Sequence, residues 1–249
     1  MFPLRDDNPT LQRSVVTFGI VVINIIVWIA VQGLGTSPTL AESVCRFGLI
    51  PGQLLGSVPE GTRIALGPHS SYLISSNPHW FSLVSHMFMH GGWFHIIGNM
   101  WFLWVFGDNV EDAMGRIRFV FFYLLCGLAA AGAQMLSDPS SAVPMVGASG
   151  AIGGVMGAYA ILYPGVGVHT LIFLGFFVQR IIIPAWMMLG YWFLLQIVGA
   201  LPSVAGAGGG VAFWAHIGGF AAGVVLVLLF RNPKRVAAHK ALMRRPRWS

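Results

Sequence analysis

Five long stretches of this chain carry no charged residue, and they limit its possible folds more than any other feature. They contain 28, 44, 19, 41 and 50 residues, and they run over Ser14–Ala41, Ile64–Gly107, Phe119–Ser137, Pro139–Gln179 and Ile181–Phe230. A helix that crosses a bilayer needs about 20 apolar residues. Because 56% of the 249 residues are hydrophobic and only 9% are charged, a soluble single-domain enzyme is excluded. The chain is predicted to be an all-α, polytopic membrane protein.

Clusters of Pro, Gly and Asn divide these stretches into six predicted spans within one membrane domain, residues 1–249. The spans cover residues 14–34, 93–109, 117–136, 147–164, 182–201 and 211–230. Residues 35–92 then form one large outer loop. The apolar segment Thr170–Gln179 is too short to span a bilayer and ends in Gln179-Arg180, so it is predicted to be an interfacial loop and not a seventh helix.

The basic residues predict which side of the membrane each loop faces. Six spans place both termini on one side, so residues 1–13 and the basic tail 231–249 share a compartment. If that compartment is the cytoplasm, only Arg46 and Arg63 lie outside, and the other twelve basic residues lie inside. Those twelve are Arg5, Arg13, Arg116, Arg118, Arg180, Arg231, Lys234, Arg235, Lys240, Arg244, Arg245 and Arg247. This asymmetry follows the positive-inside rule and predicts cytoplasmic termini.

The net charge of +6 does not indicate a nucleic-acid-binding protein, since seven of the fourteen basic residues follow Phe230. A basic tail next to a predicted span favours anionic lipid as the partner, so the bilayer and not nucleic acid is expected to contact it. The two cysteines, Cys45 and Cys126, are too few for a disulfide framework and do not identify the compartment.

Polar side chains in a membrane span are costly, so each one needs a partner or a function. His95 and Asn99 are four residues apart, on one face at the outer end of the second span. Ser149 lies at the outer end of the fourth span, and His216 lies about five residues into the sixth. At a rise of about 1.5 Å per residue, all four lie at about the same depth below the same face.

Each of these residues also has a plain structural interpretation. A serine in a glycine-rich membrane helix is usually a small packing residue bonded to its own backbone. A histidine beside small residues can be a core group, and His86, His90 and His95 together suggest a metal site. The metal interpretation is weak, because no Cys, Asp or Glu shares that helix end and the spacing takes the three rings off one face. No metal or cofactor is therefore expected.

The combination of these residues predicts nucleophilic catalysis. A serine that attacks a carbonyl needs a base within hydrogen-bonding reach and donors for the oxyanion. His216 is the candidate base for Ser149, while His95, Asn99 and a backbone N–H at the start of the fourth span are candidate donors.

Small residues on the fourth and sixth spans would allow the close approach that a Ser–His bond requires, although ordinary bundle packing uses the same residues. They include Gly150, Gly154, Gly219 and Gly223. All eight acidic residues fall in loops or at span ends, so a Ser–His dyad is expected rather than a triad.

Three motifs in this order resemble the rhomboid family of intramembrane serine proteases, and they are closest to its bacterial members. The family's GxSG occurs as Gly147–Gly150, its HxxxxHxxxN as His90–Asn99, and its AHxxGxxxG as Ala215–Gly223. Each motif alone is weak, but three in order at the expected helix ends are specific. The resemblance extends from about Phe47 to Phe230.

The resemblance implies a fold and a set of roles. It implies a six-helix core in the bacterial inner membrane, an outer loop partly embedded in the outer leaflet, and transmembrane proteins as substrates. Ser149 would be the nucleophile and His216 the general base. The oxyanion hole would comprise His95, Asn99 and the backbone N–H of Ser149 within the Gly147 motif, and His90 would be a structural or secondary polar partner.

The sequence departs from the family at one position. Many relatives have Tyr or Phe four residues after the nucleophile, where the ring packs against the catalytic histidine, but this chain has Gly153. Support for His216 is therefore expected either to come from another part of the chain or to be looser. Inactive relatives usually lack the serine or the histidine, and this chain keeps both.

Two other classes of function compete with a protease. A transporter or channel would bind a solute through polar groups near the midplane, and it should show related halves or dispersed polar residues. A catalytically silent relative would bind membrane proteins without cleaving them. Labelling of Ser149 by a fluorophosphonate distinguishes both from a protease, since only an activated serine reacts well.

Overall fold

The computed structural model describes residues 1–67, 70–75, 77, 79–174, 177–204 and 211–243. The end of the predicted basic tail, with Arg244, Arg245 and Arg247, lies outside the described residues.

Ten α-helices and five β-strands make up most of the described chain. The helices are α1 (Val15–Ala30), α2 (Thr39–Phe47), α3 (Pro51–Leu54), α4 (Ser82–Ser85), α5 (Trp93–Met114), α6 (Arg116–Ser137), α7 (Ser149–Leu162), α8 (Ala185–Val204), α9 (Phe213–Phe230) and α10 (Pro233–Met243). The strands are β1 (Phe2–Asp6), β2 (Arg63–Gly67), β3 (Ser70–Leu73), β4 (Gly167–Leu174) and β5 (Phe177–Pro184).

Each predicted span coincides with one helix: α1, α5, α6, α7, α8 and α9 follow the six ranges in order. The mostly helical fold is thus confirmed. By length and composition, three helices in the described chain can cross a membrane, namely α6, α8 and α9. The helices α1 and α7 are apolar but shorter, with 16 and 14 residues. That all six helices cross the bilayer stays a prediction.

The core of the bundle is built around α7. This helix packs against α5, α6 and α9, and α6 also packs against α9. Aromatic side chains fill the interior, and Phe106, Phe122 and Tyr159 are almost completely buried. On the outside, large apolar side chains such as Phe18 and Leu228 are exposed. An apolar exterior around a packed core is what a bilayer favours and water does not.

The helix α8 lies at the edge of the bundle, with few neighbours. It packs mainly against α9, with smaller contacts to α7 and to β4 and β5. Leu194, Leu195 and Val198 on α8 are exposed, whereas Gln196 between them is buried. A polar residue on the inward face of an otherwise apolar, loosely packed helix needs a partner inside the bundle.

No strand was expected, but the described chain contains two sheets: β2 and β3 pair in the long loop before α5, and the other three strands lie at the opposite end of the bundle. The strands β1, β4 and β5 form an antiparallel sheet in the order β1-β4-β5. The segment Thr170–Gln179 is not a seventh helix, as expected, but where the structure describes it the predicted interfacial loop lies in the strands β4 and β5. The strand β1 satisfies the backbone groups at one edge of β4, which explains why the predicted N-terminal tail is ordered.

Side chains of α5 hold the same end of the bundle together. The Glu111 carboxylate accepts hydrogen bonds from Val16 N at 3.0 Å, from Thr17 N at 2.7 Å and from Thr17 Oγ1 at 2.8 Å. These bonds satisfy backbone donors at the start of α1 that have no acceptor within that helix. Arg235 of α10 forms an ion pair with Asp112 at 3.6 Å, which joins the C-terminal helix to α5.

At the opposite end, the long loop before α5 is attached to the start of α7. Leu49 N donates to Met145 O at 2.9 Å, and Met145 N donates to Leu49 O at 2.7 Å. Both side chains are buried. The segment that leads into Ser149 is therefore fixed by backbone hydrogen bonds to this loop.

Candidate active site

Three helices begin at the same end of the bundle, and each carries a predicted site residue in its first turn. Ser149 is the first residue of α7, His95 the third of α5, and His216 the fourth of α9. At about 1.5 Å per residue, they lie within about 5 Å of their helix starts. The common depth predicted from the sequence is therefore present in the structure.

Ser149 and His216 are hydrogen-bonded: Ser149 Oγ lies 2.8 Å from His216 Nε2. The backbones of α7 and α9 approach closely enough for this bond because glycines face each other. A Cβ on Gly219 would overlap the carbonyl oxygen of Gly150, and one on Gly223 would overlap that of Gly154. The predicted close contact between these two helices is confirmed.

His216 has a second polar partner, Gln196 of α8. Gln196 Oε1 lies 2.8 Å from His216 Nδ1, and Gln196 Nε2 donates to Trp192 O at 3.1 Å. An amide oxygen only accepts, so Nδ1 carries the proton in this bond. The neutral ring then presents an unprotonated Nε2 to Ser149, which is the form that a general base requires.

The aromatic partner of His216 also comes from α8. The rings of Trp192 and His216 have centroids 5.8 Å apart and are tilted by 40°. A Cβ at Gly153 would lie 3.6 Å from the Trp192 ring. Residue 153 carries no ring, and the aromatic contact to His216 comes from Trp192 instead.

Gly147 occupies a position that other residues fit poorly. Its φ of +126° lies in the left-handed half of backbone space, which favours glycine. A Cβ there would also lie 2.6 Å from His95 Nε2 and 3.3 Å from Ser149 Oγ. Gly147 N donates to His86 O at 2.9 Å, which fixes the turn into α7. Gly147 thus allows the His95 ring and the Ser149 hydroxyl to approach one another.

His95 directs a donor toward this space. Gly91 N donates to His95 Nδ1 at 3.2 Å, so in the neutral ring the proton is on Nε2. The Nε2–H group faces Gly147, beside the Ser149 hydroxyl. This geometry suits a donor for negative charge that develops on an oxygen next to Ser149.

Asn99 lies one turn of α5 further into the bundle and is buried. Within the described chain, its Nδ2 atom has no hydrogen-bond partner. A buried amide donor without an acceptor is costly, and such groups often mark a site for a ligand or a reacting group. The backbone N–H groups in the first turn of α7 also have no acceptor within that helix.

His90 contacts His95 and the end of the first helix. Its backbone N–H donates to Gln32 Oε1 at 2.8 Å, and Gln32 Nε2 donates to His90 O at 2.7 Å. The His90 ring packs edge-on against the His95 ring, with centroids 5.2 Å apart. His90 thus anchors the loop before α5 to the end of α1 and supports the ring of His95.

A metal site is not formed by the described residues, which contain no group of three or more His, Cys, Asp or Glu side chains that could hold a metal ion. Asp6, Asp108, Glu111 and Asp112 lie at the opposite end of the bundle, near α10. The Ser149 site brings together a serine hydroxyl, an imidazole bonded to it and several hydrogen-bond donors, which are the groups that acyl transfer uses.

Comparison with protein families decides the classification. The family described as "Rhomboid domain" matches residues 77–233, which is more than half of the chain. The chain belongs to the rhomboid family. The matched range includes all three motifs and every site residue described above except Gln32.

Three relatives place the chain within that family. It is 32% identical to Rhomboid-like protein 11, chloroplastic, of Arabidopsis thaliana over 66% of this chain and 57% of that protein. It is 30% identical to Rhomboid protease GluP of Bacillus subtilis over 76% of this chain and 33% of that protein. It is also 32% identical to RHOMBOID-like protein 5 of Arabidopsis thaliana, over 74% and 56% of the two lengths. The chain therefore spans less than two thirds of each of these relatives.

Sequence reasoning missed Gln196, Trp192 and Gln32. Gln196 is a lone polar residue in α8, Trp192 is one of four aromatic residues in that helix, and Gln32 follows the end of α1. Periodicity alone cannot assign a partner to any of them. One signal was available for Gln196: it is the only strongly polar side chain between Arg180 and His216 apart from Ser203. Such a residue in a predicted span is a candidate for a function.

Proposed function

We propose that this protein is an intramembrane serine endopeptidase that cleaves transmembrane segments of other proteins. The observation that carries the proposal is the 2.8 Å bond between Ser149 Oγ and His216 Nε2 at the ends of two glycine-packed helices. Membership of the rhomboid family, which includes proteins named as proteases, supports it. Donors around the serine support it independently.

The first chemical step is attack by Ser149 on the scissile carbonyl carbon. His216 Nε2 takes the hydroxyl proton as the Oγ–C bond forms, and the carbonyl electron pair moves onto oxygen. Because Nδ1 is already bonded to Gln196, the ring is oriented before the substrate arrives. Preorganised groups avoid a cost of reorientation during the reaction.

The oxyanion that results needs hydrogen-bond donors aimed at it. His95 Nε2–H, Asn99 Nδ2 and the Ser149 backbone N–H are the three candidates. The start of α7 adds the positive end of its helix dipole at the same place. Removal of a single donor of this kind typically costs about 10²–10³ in rate.

Two further steps complete the cycle. His216 returns its proton to the leaving amine nitrogen as the C–N bond breaks, which leaves an acyl ester on Ser149. Water then attacks this ester, with His216 again acting as base, and releases the new carboxylate and the free serine. The partial exposure of Ser149 and His216 at the end of the bundle gives water a route to them.

The position of the site in the membrane follows from the charge asymmetry. With both termini in the cytoplasm, the starts of α5, α7 and α9 face outward, and cleavage takes place near the outer leaflet. The proposed location is the bacterial inner membrane. The basic residues of α10 and the tail would then contact anionic lipid of the inner leaflet.

The other two functions receive less support. A transporter is disfavoured because a serine, a histidine bonded to it and further hydrogen-bond donors lie together at the starts of three helices and not near the midplane. A catalytically silent relative is disfavoured because nucleophile, base and an unpartnered buried donor on Asn99 are all retained.

The test uses purified protein in liposomes with a panel of single-span substrates. Wild type is expected to cleave at least one substrate and to react with a fluorophosphonate at Ser149. Ser149→Ala and His216→Ala should each abolish cleavage while the apparent melting temperature stays close to wild type. Cleavage by purified Ser149→Ala would overturn the proposal, as would a wild type that neither cleaves nor labels.

A further inference from the structure

We infer that Gln196 is a positioning residue that fixes the tautomer and orientation of His216, so that the proposed dyad operates as a Ser–His–Gln chain. The inference rests on the proposed function, because it assigns a role to a residue that acts through the proposed base. Gln196 lies on α8, a different helix from the nucleophile and from the base.

Both ends of the Gln196 amide are occupied. Its Oε1 atom accepts from His216 Nδ1 at 2.8 Å, and its Nε2 atom donates to Trp192 O, one helical turn earlier, at 3.1 Å. The side chain is 8% exposed although its neighbours Leu195 and Ile197 face outward. The bond to Trp192 O opposes a rotation that would exchange the oxygen and nitrogen of the amide.

This fixed amide selects one form of the neutral imidazole. If Nδ1 were unprotonated, two acceptors would face each other across 2.8 Å. The protonated Nδ1 avoids that repulsion and leaves Nε2 free to accept from Ser149 Oγ. A reversed amide would instead donate to Nδ1 and favour the wrong tautomer. Stabilisation of the wrong tautomer is what makes Asn a poor substitute for Asp in soluble serine proteases.

A glutamine suits this position better than a carboxylate does in terms of charge. An ionised group within a membrane span is costly, and no acidic side chain of the described chain lies on α7, α8 or α9. An amide orients the histidine without that cost. It does not neutralise the imidazolium that forms during attack, so its contribution is expected to be smaller than that of a triad aspartate.

The competing interpretation is that Gln196 only packs α8 against α9. If Gln196 only packs, its replacement should lower the stability of the fold, and substrate turnover should fall only as far as the folded fraction falls. A positioning role predicts a loss confined to the reaction of Ser149. Phe193 offers the matched packing control on α8, because its ring stacks on Phe220 of α9 with centroids 4.5 Å apart and has no contact with His216 in the described structure.

The experiment compares Gln196→Met, Gln196→Glu and Phe193→Leu in liposomes. Gln196→Met keeps the volume but removes the acceptor, and we expect kcat and the fluorophosphonate labelling rate to fall together by about 10–10³. KM should change by less than about 3-fold, since the residue does not contact substrate. Gln196→Glu keeps an acceptor for His216 Nδ1, so its labelling rate should be close to that of wild type and well above that of Gln196→Met. Phe193→Leu should lower the melting temperature without that loss of labelling.

Any of three results would overturn the inference. The first is a Gln196→Met variant with wild-type kcat and labelling rate. The second is a Phe193→Leu variant that loses labelling as much as Gln196→Met does, and the third is a Gln196→Glu variant that labels as slowly as Gln196→Met. In each case wild type would still label at Ser149 and cleave substrate, so failure of this inference is distinct from failure of the proposed function.

Discussion

Gly219 of α9 faces the carbonyl oxygen of Gly150 of α7 so closely that a Cβ on Gly219 would overlap that oxygen. Ser149 directly precedes Gly150, and His216 lies one turn before Gly219. We therefore predict that Gly219→Ala forces α7 and α9 apart at the level of the catalytic bond. Overpacking of this kind costs about 1–3 kcal/mol, and fluorophosphonate labelling of Ser149 should fall by at least about 10-fold, because the base is displaced from the nucleophile.

The control for this prediction is Gly190→Ala on α8, where a Cβ would meet nothing within 4 Å. Alanine is the better helix former by about 1 kcal/mol, so this variant should be as stable as wild type or more so. Equal labelling rates for Gly219→Ala and wild type would show that the glycine contact does not set the Ser149–His216 distance.

The unpartnered donor of Asn99 leads to a second prediction. Asn99→Ala should lower kcat by about 10²–10³ while Ser149→Ala abolishes turnover, since other oxyanion donors remain. Asn99→Ala should not lower the melting temperature, because Nδ2 makes no hydrogen bond in the described structure that the substitution would break. His95→Ala should lower kcat to a similar extent if its Nε2–H is a second donor.

The measurement is kcat and KM for one substrate in liposomes, together with thermal unfolding in detergent. His90→Ala is the comparison: its ring packs against the His95 ring, so its loss should act only through His95 and should lower kcat less than Asn99→Ala does. A wild-type kcat for Asn99→Ala would exclude it from the oxyanion hole. Complete loss of turnover with an intact fold would show that its role is larger than that of one donor.

The sequence predicted the helices and the Ser149–His216 contact because both follow from simple periodicities. Uncharged stretches set the six helices, and the position of each polar residue relative to its helix start set the common depth of Ser149, His95 and His216. Contact between α7 and α9 followed from small residues at i and i+4 spacing on each helix. These inferences need only local sequence and one rule of packing.

The sequence did not reveal the sheet or the α8 contacts, for physical reasons. The strands β4 and β5 contain continuous apolar runs such as Ile181–Ile183, which do not alternate and so resemble short helix segments. Strand β1 forms only because β4 lies nearby in space. Gln196 and Trp192 acquire their roles from the rotation of α8 about its axis, which depends on packing and not on their own sequence neighbours.

A third prediction concerns Asp6, which lies in β1 at the end of the bundle opposite Ser149. Burial raises the pKa of Asp6 from 3.8 to about 6, although a hydrogen bond from Tyr159 acts in the other direction. A carboxyl group whose pKa is higher in the folded protein favours folding below the unfolded pKa, and this contribution is lost as the pH rises through the folded pKa. Stability from this group is therefore lost between about pH 4 and pH 6.

Asp6→Asn should remove this dependence, since the amide oxygen still accepts from Tyr159 and does not titrate. The difference in melting temperature between Asp6→Asn and wild type should be near zero at pH 4 and should favour the variant by a few degrees, on the order of 3 °C, at pH 7.5. Asp138→Asn, which changes an exposed carboxylate at the end of α6, is the control. A difference for Asp6→Asn that is constant across this pH range would contradict the assignment.

The last prediction concerns the position of the cut in the substrate. His216 is the fourth residue of α9, so the Ser149–His216 pair lies about 5 Å along the axis from the helix start. If the starts of α5, α7 and α9 face outward, cleavage should fall near the outer end of a substrate helix. A peptide bond inside a regular helix is hydrogen-bonded and shielded, so Ser149 reaches it only where the substrate unwinds.

Helix breakers near that end should therefore control the rate. Insertion of Gly-Pro a few residues inside the outer boundary of the substrate lowers the cost of unwinding. In a helix interior, Gly is less favourable than Ala by about 1 kcal/mol and Pro by about 3 kcal/mol. We expect faster cleavage for this substrate and slower cleavage when native breakers there are replaced by Leu, with the cut located by mass spectrometry. The same Gly-Pro placed at the cytoplasmic end is the control and should have little effect. Preferred cleavage at the cytoplasmic end would show that the orientation deduced from the basic residues is reversed, because the depth of Ser149 below its own helix start is fixed by the structure.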